Sequence, residues 1–399
     1  MSVNGSHQQQ LEKSMTNRPR EAVAAFKQRE RQMNIKQMQS AIKRFRAADV
    51  SLIEDQKLRA RARKLQAKQG GFTLLELLVV ITLLATLSTA ALVAYEGIGE
   101  NAQDTANANN ILAAESSIRN YRAVENVYPN QWDNLANLDG TIPGTTGTEP
   151  LLADATEAFL GQWVTTPAAT LAGGTVLEAV GQALAAVGID ELQTLDPTTT
   201  YTNPIPNLSW NESAPGVTAG GASELEFDVD DDGVLQDILW DETTQLGSPV
   251  ALSIVPSGGE IAGVASTCTA DGATISTFYD GTTTATDNKT LNLINDALGD
   301  DDCHLVMAFG FGKDVPGTTI DSRVAIGQAP TAGTENVNPA TNYARYIALF
   351  QVGEDGSDGS TADGDITAAE IFPRARLIGV VDPEGRTLDA AIAGANQGA

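Results

Sequence analysis

Histidine is nearly missing from this 399-residue chain: there are two, His7 and His304. With so few imidazoles, His-rich zinc centres and Ser-His-Asp catalysis have little to be built from. Cysteine is equally scarce, with Cys268 and Cys303 alone, which leaves no material for a multi-cysteine metal framework. The stretch GFGKD, residues 310–314, has Asp314 where a phosphate loop needs Ser or Thr. Carboxylates are plentiful, but nothing singles out a glycosidase-type pair. Most telling is the shortage of Lys and Arg beyond residue 71. Residues 1–71 hold 16 of the 25 basic and 6 of the 51 acidic residues, so 72–399 hold 25 − 16 = 9 and 51 − 6 = 45, a net −36. Phosphate recognition needs clustered cations, so nucleic acid is excluded as a partner of this part, and cations are favoured.

What is present is an abrupt change of sign at an apolar run. The first 71 residues carry 16 − 6 = +10, and the 24 residues from Phe72 to Tyr95 are almost wholly apolar. As a helix that run reaches roughly 36 Å, enough for a hydrocarbon core of about 30 Å. Basic flanks stay on the cytoplasmic side, which orients the chain with 1–71 inside and the acidic bulk exported. In an oxidising compartment Cys268 and Cys303 either pair as a disulfide or remain two separate buried thiols. A signal peptide cut near Thr89-Ala90-Ala91 and a plain signal anchor are the rival readings of the run. Neither accounts for Glu76, a carboxylate that is costly in lipid and that marks a functional partner or snorkels near the end of the span.

The residues around Glu76 are more specific. Lys68-Gln69-Gly70-Gly71 followed by Phe72-Thr73-Leu74-Leu75-Glu76 resembles the prepilin processing site of type IV pilins and type II secretion pseudopilins. The resemblance implies that a membrane peptidase cuts after Gly71, that Phe72 becomes an N-methylated terminus, and that Glu76 pairs with the terminal amine of a neighbouring subunit. Pairing removes most of the cost of burying either charge in an apolar filament core. Ile118-Arg119-Asn120-Tyr121 with Asn126-Val127-Tyr128-Pro129 likewise resembles the end of the long helix and the following loop of major pseudopilins. Partners implied are other pilins in a homo- or hetero-oligomeric filament, the prepilin peptidase and the inner-membrane assembly machinery. The implied location is the inner membrane, single-pass, with a periplasmic or extracellular head.

The expected fold is α+β: a long N-terminal helix over 72–125, with 72–95 as the transmembrane and filament-core part, packed on an antiparallel β-sheet head with a helical insertion. Ile111, Ala114, Ile118 and Tyr121 form an apolar stripe facing a sheet, Pro129 ends the helical pattern, and Gly97 and Gly99 are places for a bend or local unwinding. The head is 126–399. Within it 150–195 is helical in pattern, with Val176, Leu177, Val180, Leu184 and Val187 at helix spacing, and 196–209 is a linker. The part from 223 to 399 is mainly β, with strands expected at Leu225–Phe227, Leu235–Ile238, Val250–Val255, Leu305–Phe309, Tyr346–Val352 and Leu377–Val381. His304 is expected at a strand edge.

Two acidic stretches carry candidate chemistry. DVDDDGVLQD, residues 228–237, places Asp228, Asp230 and Asp232 at alternate positions before Gly233, the first half of an EF-hand-like calcium loop, with Asp237, Asp241 or Glu242 left to close it. The alternative is a solvated acidic hairpin. Asp363, Asp365 and Glu370 match the latter half of such a loop, with Gly359 where its opening carboxylate belongs. Residues 21–68 read as basic helix with scattered apolar positions. The leader either contacts anionic lipid or a cytoplasmic partner, or the start lies at Met33 or Met38. These readings make the chain a structural filament subunit, with a minor or tip subunit whose head binds a partner as the alternative. An exported adhesin or enzyme on an ordinary anchor is the rival from another class.

Overall fold

The computed structural model describes residues 35–67, 74–136, 151–195 except 172, 206–210 except 208, 222–279 except 241, 262 and 263, and further 298, 303–312 and 331–397 except 335. The chain divides into two units, Met1–Ala91 and Leu92–Ala399.

The first unit is helical. Helix α1 is Ile35–Ala47, a 3₁₀ turn spans Val50–Leu52, and helix α2 is Gln56–Ala67. Asp49 caps the turn by accepting from the Ser51 amide at 2.9 Å, and Asp55 starts α2 by accepting from the Lys57 amide at 2.8 Å. Gln66, in the last turn of α2, donates to Phe45 O at 2.8 Å and Ala48 O at 3.1 Å, satisfying carbonyls orphaned at the end of α1. Helix α3, Leu74–Glu125, begins in this unit. Its 52 residues include Gly97 and Gly99, where helical bonding continues and no unwinding occurs. Each glycine costs about 1 kcal/mol relative to Ala, which a helix this long absorbs.

In the second unit α3 ends where Asn126 turns to φ 65° and its amide bonds Arg122 O at 2.9 Å. That left-handed step, three residues before Pro129, is what stops the helix. Ile111, Ala114, Ile118 and Tyr121 are all buried and belong to the main core, as the stripe required. They pack on a sheet whose order is β15-β13-β12-β1-β3-β4-β5-β6. The strands are β1 Trp132–Asn134, β3 Glu191–Leu195, β4 Ala222–Val229, β5 Leu235–Trp240, β6 Thr243–Thr244, β12 His304–Gly310, β13 Ile347–Glu354 and β15 Ile371–Val381. A branch, β2 Gly161–Thr165 and β7 Val250–Val255, joins through β7 to β12. All these pairings are antiparallel except β1 with β3, and two small sheets stand apart, one of β8 Gly258–Ile261 with β9 Val264–Thr267 and one of β10 Thr269–Ala270 between β11 Ala273–Thr274 and β14 Asp365–Ile366.

The central strands are apolar on both sides because both sides are covered. In β12, Leu305, Met307 and Phe309 enter the core beneath α3, while Val306 and Ala308 enter a second cluster with Leu151, Leu152, Phe159, Leu160, Trp210 and Phe278. In β13, Ala348, Phe350 and Val352 take the helix side and Ile347 and Leu349 the other. Alternation of period two with both faces buried yields the continuous runs HLVMAFG and IALFQVG. The head thus has a second layer behind the sheet.

Residues 150–195 differ from an all-helical insertion. They contain the short helix α4, Asp154–Glu157, and helix α5, Val176–Ala185, but also β2 and β3 of the main sheet. Thr175 and Glu178 form a capping box at the start of α5, and Gly188 at φ 88° follows its end. Five-residue strands beside a long periodic helix carry too little pattern of their own to show in the sequence. Of the 196–209 stretch only 206, 207 and 209 are described. Asn207 donates to Pro339 O at 2.7 Å and accepts from the Ala344 amide at 2.8 Å. A closing helix, α6, Leu388–Gln397, had no counterpart among the expected elements.

Candidate functional site

The N-terminal part of α3 is apolar all round. Leu74–Leu92 has mean hydropathy 2.1 and is long and apolar enough to cross a membrane. Its large side chains are exposed, from 44% at Val79 to 82% at Leu74. An apolar surface of this extent belongs in lipid or between like helices. Its threonine hydroxyls are satisfied within the helix: Thr82, Thr86 and Thr89 donate to Val79 O, Leu83 O and Ala85 O at 2.8 to 2.9 Å. Glu76 is exposed in the first turn, where a carboxylate meets the positive end of the helix dipole. Gly71 and Phe72, the expected processing pair, lie outside the described residues.

Farther along, α3 is tied to the head by polar side chains that sequence reading missed. Arg386, just after β15, donates from Nη1 to Asp104 Oδ1 at 3.0 Å and from Nε to Asp382 Oδ2 at 2.8 Å. Asp382 is fully buried and also accepts from Asn107 Nδ2 at 2.6 Å, while Tyr346 donates to Asn107 Oδ1 at 2.8 Å. Burial pushes the Asp382 carboxyl above the usual carboxylate range against the pull of Arg386, and pushes the Tyr346 hydroxyl up to about 12. The end of α3 is held by Tyr128: its ring lies under the Arg122 guanidinium, its edge meets Phe350, and its hydroxyl accepts from the Leu377 amide at 3.1 Å. This gives a physical reason for Tyr128 in the second family-like stretch, while its Arg119 pairs with Glu115 one turn earlier on the exposed side of the helix.

The sheet centre carries a buried polar pair. Tyr343 donates to Asp133 Oδ2 at 2.5 Å, and burial first, then the Asp133 charge, raises the Tyr343 hydroxyl well above its ordinary range. Gly312 is required beside it, since a Cβ there would lie 2.2 Å from Asp133 Oδ1. Asn134 next in β1 donates to Ala251 O at 2.9 Å and accepts from the Ser253 amide at 2.9 Å, joining β1 to β7. His304 begins β12 but is 2% exposed, with Nδ1 3.2 Å from Gln351 Nε2, so it is a packed core histidine rather than an edge residue.

Cys268 and Cys303 form a disulfide, with Cα atoms 5.7 Å apart, joining the strand β10, Thr269–Ala270, to the start of β12. The acidic stretch 228–237 is the β4–β5 hairpin. Asp230 caps its turn: Oδ1 accepts from the Asp232 and Val234 amides at 3.0 and 2.9 Å, and Oδ2 from Gln236 Nε2 at 2.9 Å. Gly233 adopts φ 79°, as a tight turn needs. Asp228 and Asp237 stand directly opposite each other across the hairpin, while Asp232 is exposed at its tip. Nearby Glu226 is raised by burial and by Asp228, Asp190 and Glu242.

In the second acidic stretch Glu370 is buried and accepts four hydrogen bonds, from the Gly356 and Thr367 amides at 2.7 and 2.8 Å and from the Ser360 and Thr367 hydroxyls at 3.2 and 2.8 Å. Burial would raise it, but those donors outweigh burial and leave its carboxyl below the usual range. Asp365 accepts from the Thr269 hydroxyl and from the Gly272 amide at 3.1 Å, and Asp363 accepts from the Asp365 amide at 3.1 Å. Both stretches therefore use carboxylates to organise loops. Among the described residues no group of three or more His, Cys, Asp or Glu side chains is placed to hold a metal ion.

Residues 66–92 match the family model described as a Prokaryotic N-terminal methylation motif. No match was found among curated proteins or solved structures. An apolar helix, Leu74–Leu92, overlaps that motif and its continuation packs on an antiparallel sheet in an α+β head, an arrangement consistent with a prepilin/pseudopilin-type protein.

Proposed function

We propose that the chain is a structural subunit of a type IV pilus-like or type II secretion pseudopilus filament. Prepilin peptidase cuts after Gly71, Phe72 is methylated, and subunits assemble through the helix from Phe72 to about Tyr95, with the head on the periplasmic or extracellular side. The observation that carries this reading is the exposed apolar surface of Leu74–Leu92, with one carboxylate, Glu76, in its first turn, under a matched methylation motif. In a bundle of such helices Glu76 supplies the counter-charge to a neighbour's terminal amine, and the apolar surface supplies the packing. The family is typically non-catalytic, and the chain needs no catalytic group for this role.

The test is the mature N-terminus. Mass analysis should find a methylated Phe72 as the first residue, and a bulky replacement of Gly71 should leave the precursor uncut in the membrane. Glu76→Leu should insert and be cleaved yet assemble slowly or not at all, since lipid prefers leucine but the neighbour's amine loses its partner. A mature protein with an intact leader, or one starting near Leu92, would instead mark an adhesin or enzyme on an ordinary anchor or signal.

A further inference from the structure

We infer that helices α1 and α2 form a basic platform that binds the anionic lipid headgroups of the leaflet from which the span starts, holding the leader flat at the membrane surface beside residues 68–73. The inference rests on the proposed topology, with residues 1–71 cytoplasmic.

The first observation is amphipathicity: the apolar side of each helix is exposed among the described residues of the unit. Met38, Ile42 and Phe45 recur at spacings of four and three on one side of α1 and are exposed by 49, 39 and 36%. Leu58 and Leu65, one heptad apart on α2, are exposed by 55 and 57%. The rest of the surface is cationic. Residues 35–67 contain nine Lys and Arg against three Asp and Glu, 9 − 3 = +6. On α2, Gln56, Arg59, Ala60, Arg63 and Lys64 line one shallow concave patch with three cations and no carboxylate. An apolar stripe of a few large residues with a wide cationic face suits an interface of headgroups and acyl chains.

The second observation is reach. Residues 68–73 separate Ala67 from Leu74, and a chain of that length spans at most about 25 Å. Once Leu74–Leu92 is in the bilayer, α2 cannot leave the neighbourhood of its surface. Gln66 bonds both Phe45 O and Ala48 O, so α1 is kept within reach as well. A freely diffusing protein has to find this face; the anionic leaflet is already there. Each cation near such a surface is worth about fivefold in partition, so the cluster adds up steeply.

The experiment uses the full-length precursor in lipid nanodiscs, with an environment-sensitive fluorophore on Ile42→Cys. The native cysteines are in a disulfide, so the new thiol takes the label. In discs with about a third phosphatidylglycerol the label should shift to the blue and be shielded from an aqueous quencher. In phosphatidylcholine discs it should not, and high salt should reverse the shift. A label on Gln37→Cys, on the polar side of α1, should stay in water. Lys43, Arg44 and Arg46 changed together to Gln should weaken the response by on the order of a hundredfold in apparent affinity. Equal emission in neutral and anionic discs overturns the inference, including the case in which a cytoplasmic protein, rather than lipid, shields the label. The readout requires no cleavage, so loss of processing after Gly71 would sink the filament reading and leave this one standing, and the reverse holds equally.

Discussion

Arg386 and Asp104 meet at 3.0 Å across 282 positions of sequence, clamping the long helix to the turn that follows the last strand. Asp382 lies buried behind the same guanidinium. Removing Arg386 and removing Asp104 should therefore differ in cost. Arg386→Met leaves the Asp382 carboxylate without its counter-charge and should cost about 3–5 kcal/mol, whereas Asp104→Asn, at a partly exposed pair, should cost about 1 kcal/mol or less. All four tryptophans lie between residues 132 and 240, so urea titrations followed by tryptophan fluorescence report the head directly. Equal losses for the two variants would show that the buried carboxylate does not depend on Arg386.

Glu370 should make the head acid-sensitive. Its folded carboxyl lies below the unfolded one, so the native state binds fewer protons, and its contribution is present above the ordinary glutamate range near pH 4.5 and lost as pH falls through the lower folded value. Glu370→Gln puts an amide donor against amide and hydroxyl donors and should cost about 1–3 kcal/mol at neutral pH. Its stability should then fall less than wild type's between pH 5 and 3. Parallel slopes in the two proteins would exclude Glu370 as a source of the acid response.

The disulfide links residues 35 positions apart. Closing a loop of that length lowers the entropy of the unfolded chain by an amount worth about 3–4 kcal/mol. Reduction, or the double Cys268→Ser and Cys303→Ser change, should shift the denaturation midpoint accordingly, while helix content by circular dichroism stays the same. No shift on reduction would mean that the bond adds nothing to the head.

Asp230 and calcium can be separated at the β4–β5 hairpin. Asp230→Ala removes the turn cap and should cost about 1 kcal/mol in chelator as well as in calcium. Asp232→Ala keeps the cap, since only the Asp232 amide takes part in it. Calcium bound by Asp228, Asp232 and Asp237 would relieve their repulsion and raise the melting temperature of wild type but not of Asp232→Ala. Equal melting of wild type in calcium and chelator assigns the hairpin its cap alone.

The sequence by itself determined whatever is written in neighbouring residues. The apolar run, the place of Glu76 and the stripe Ile111, Ala114, Ile118 and Tyr121 are local patterns, and each reappears in α3 because a helix is built from contacts three and four residues apart. Long apolar strands such as β7, β12 and β13 were legible for the same reason. Only the tertiary structure decided what depends on partners far away in the chain. Trp132–Asn134 is a three-residue strand because β12 and β3 flank it, and nothing within three residues announces that. Asp230 and Glu370 match calcium-loop positions in sequence, and the fold adds that their oxygens accept from amides and hydroxyls of their own loops. The clamp of Asp104, Asp382 and Arg386 exists only once β15 has returned to the helix, because a buried ion pair is defined by the burial that the whole head provides.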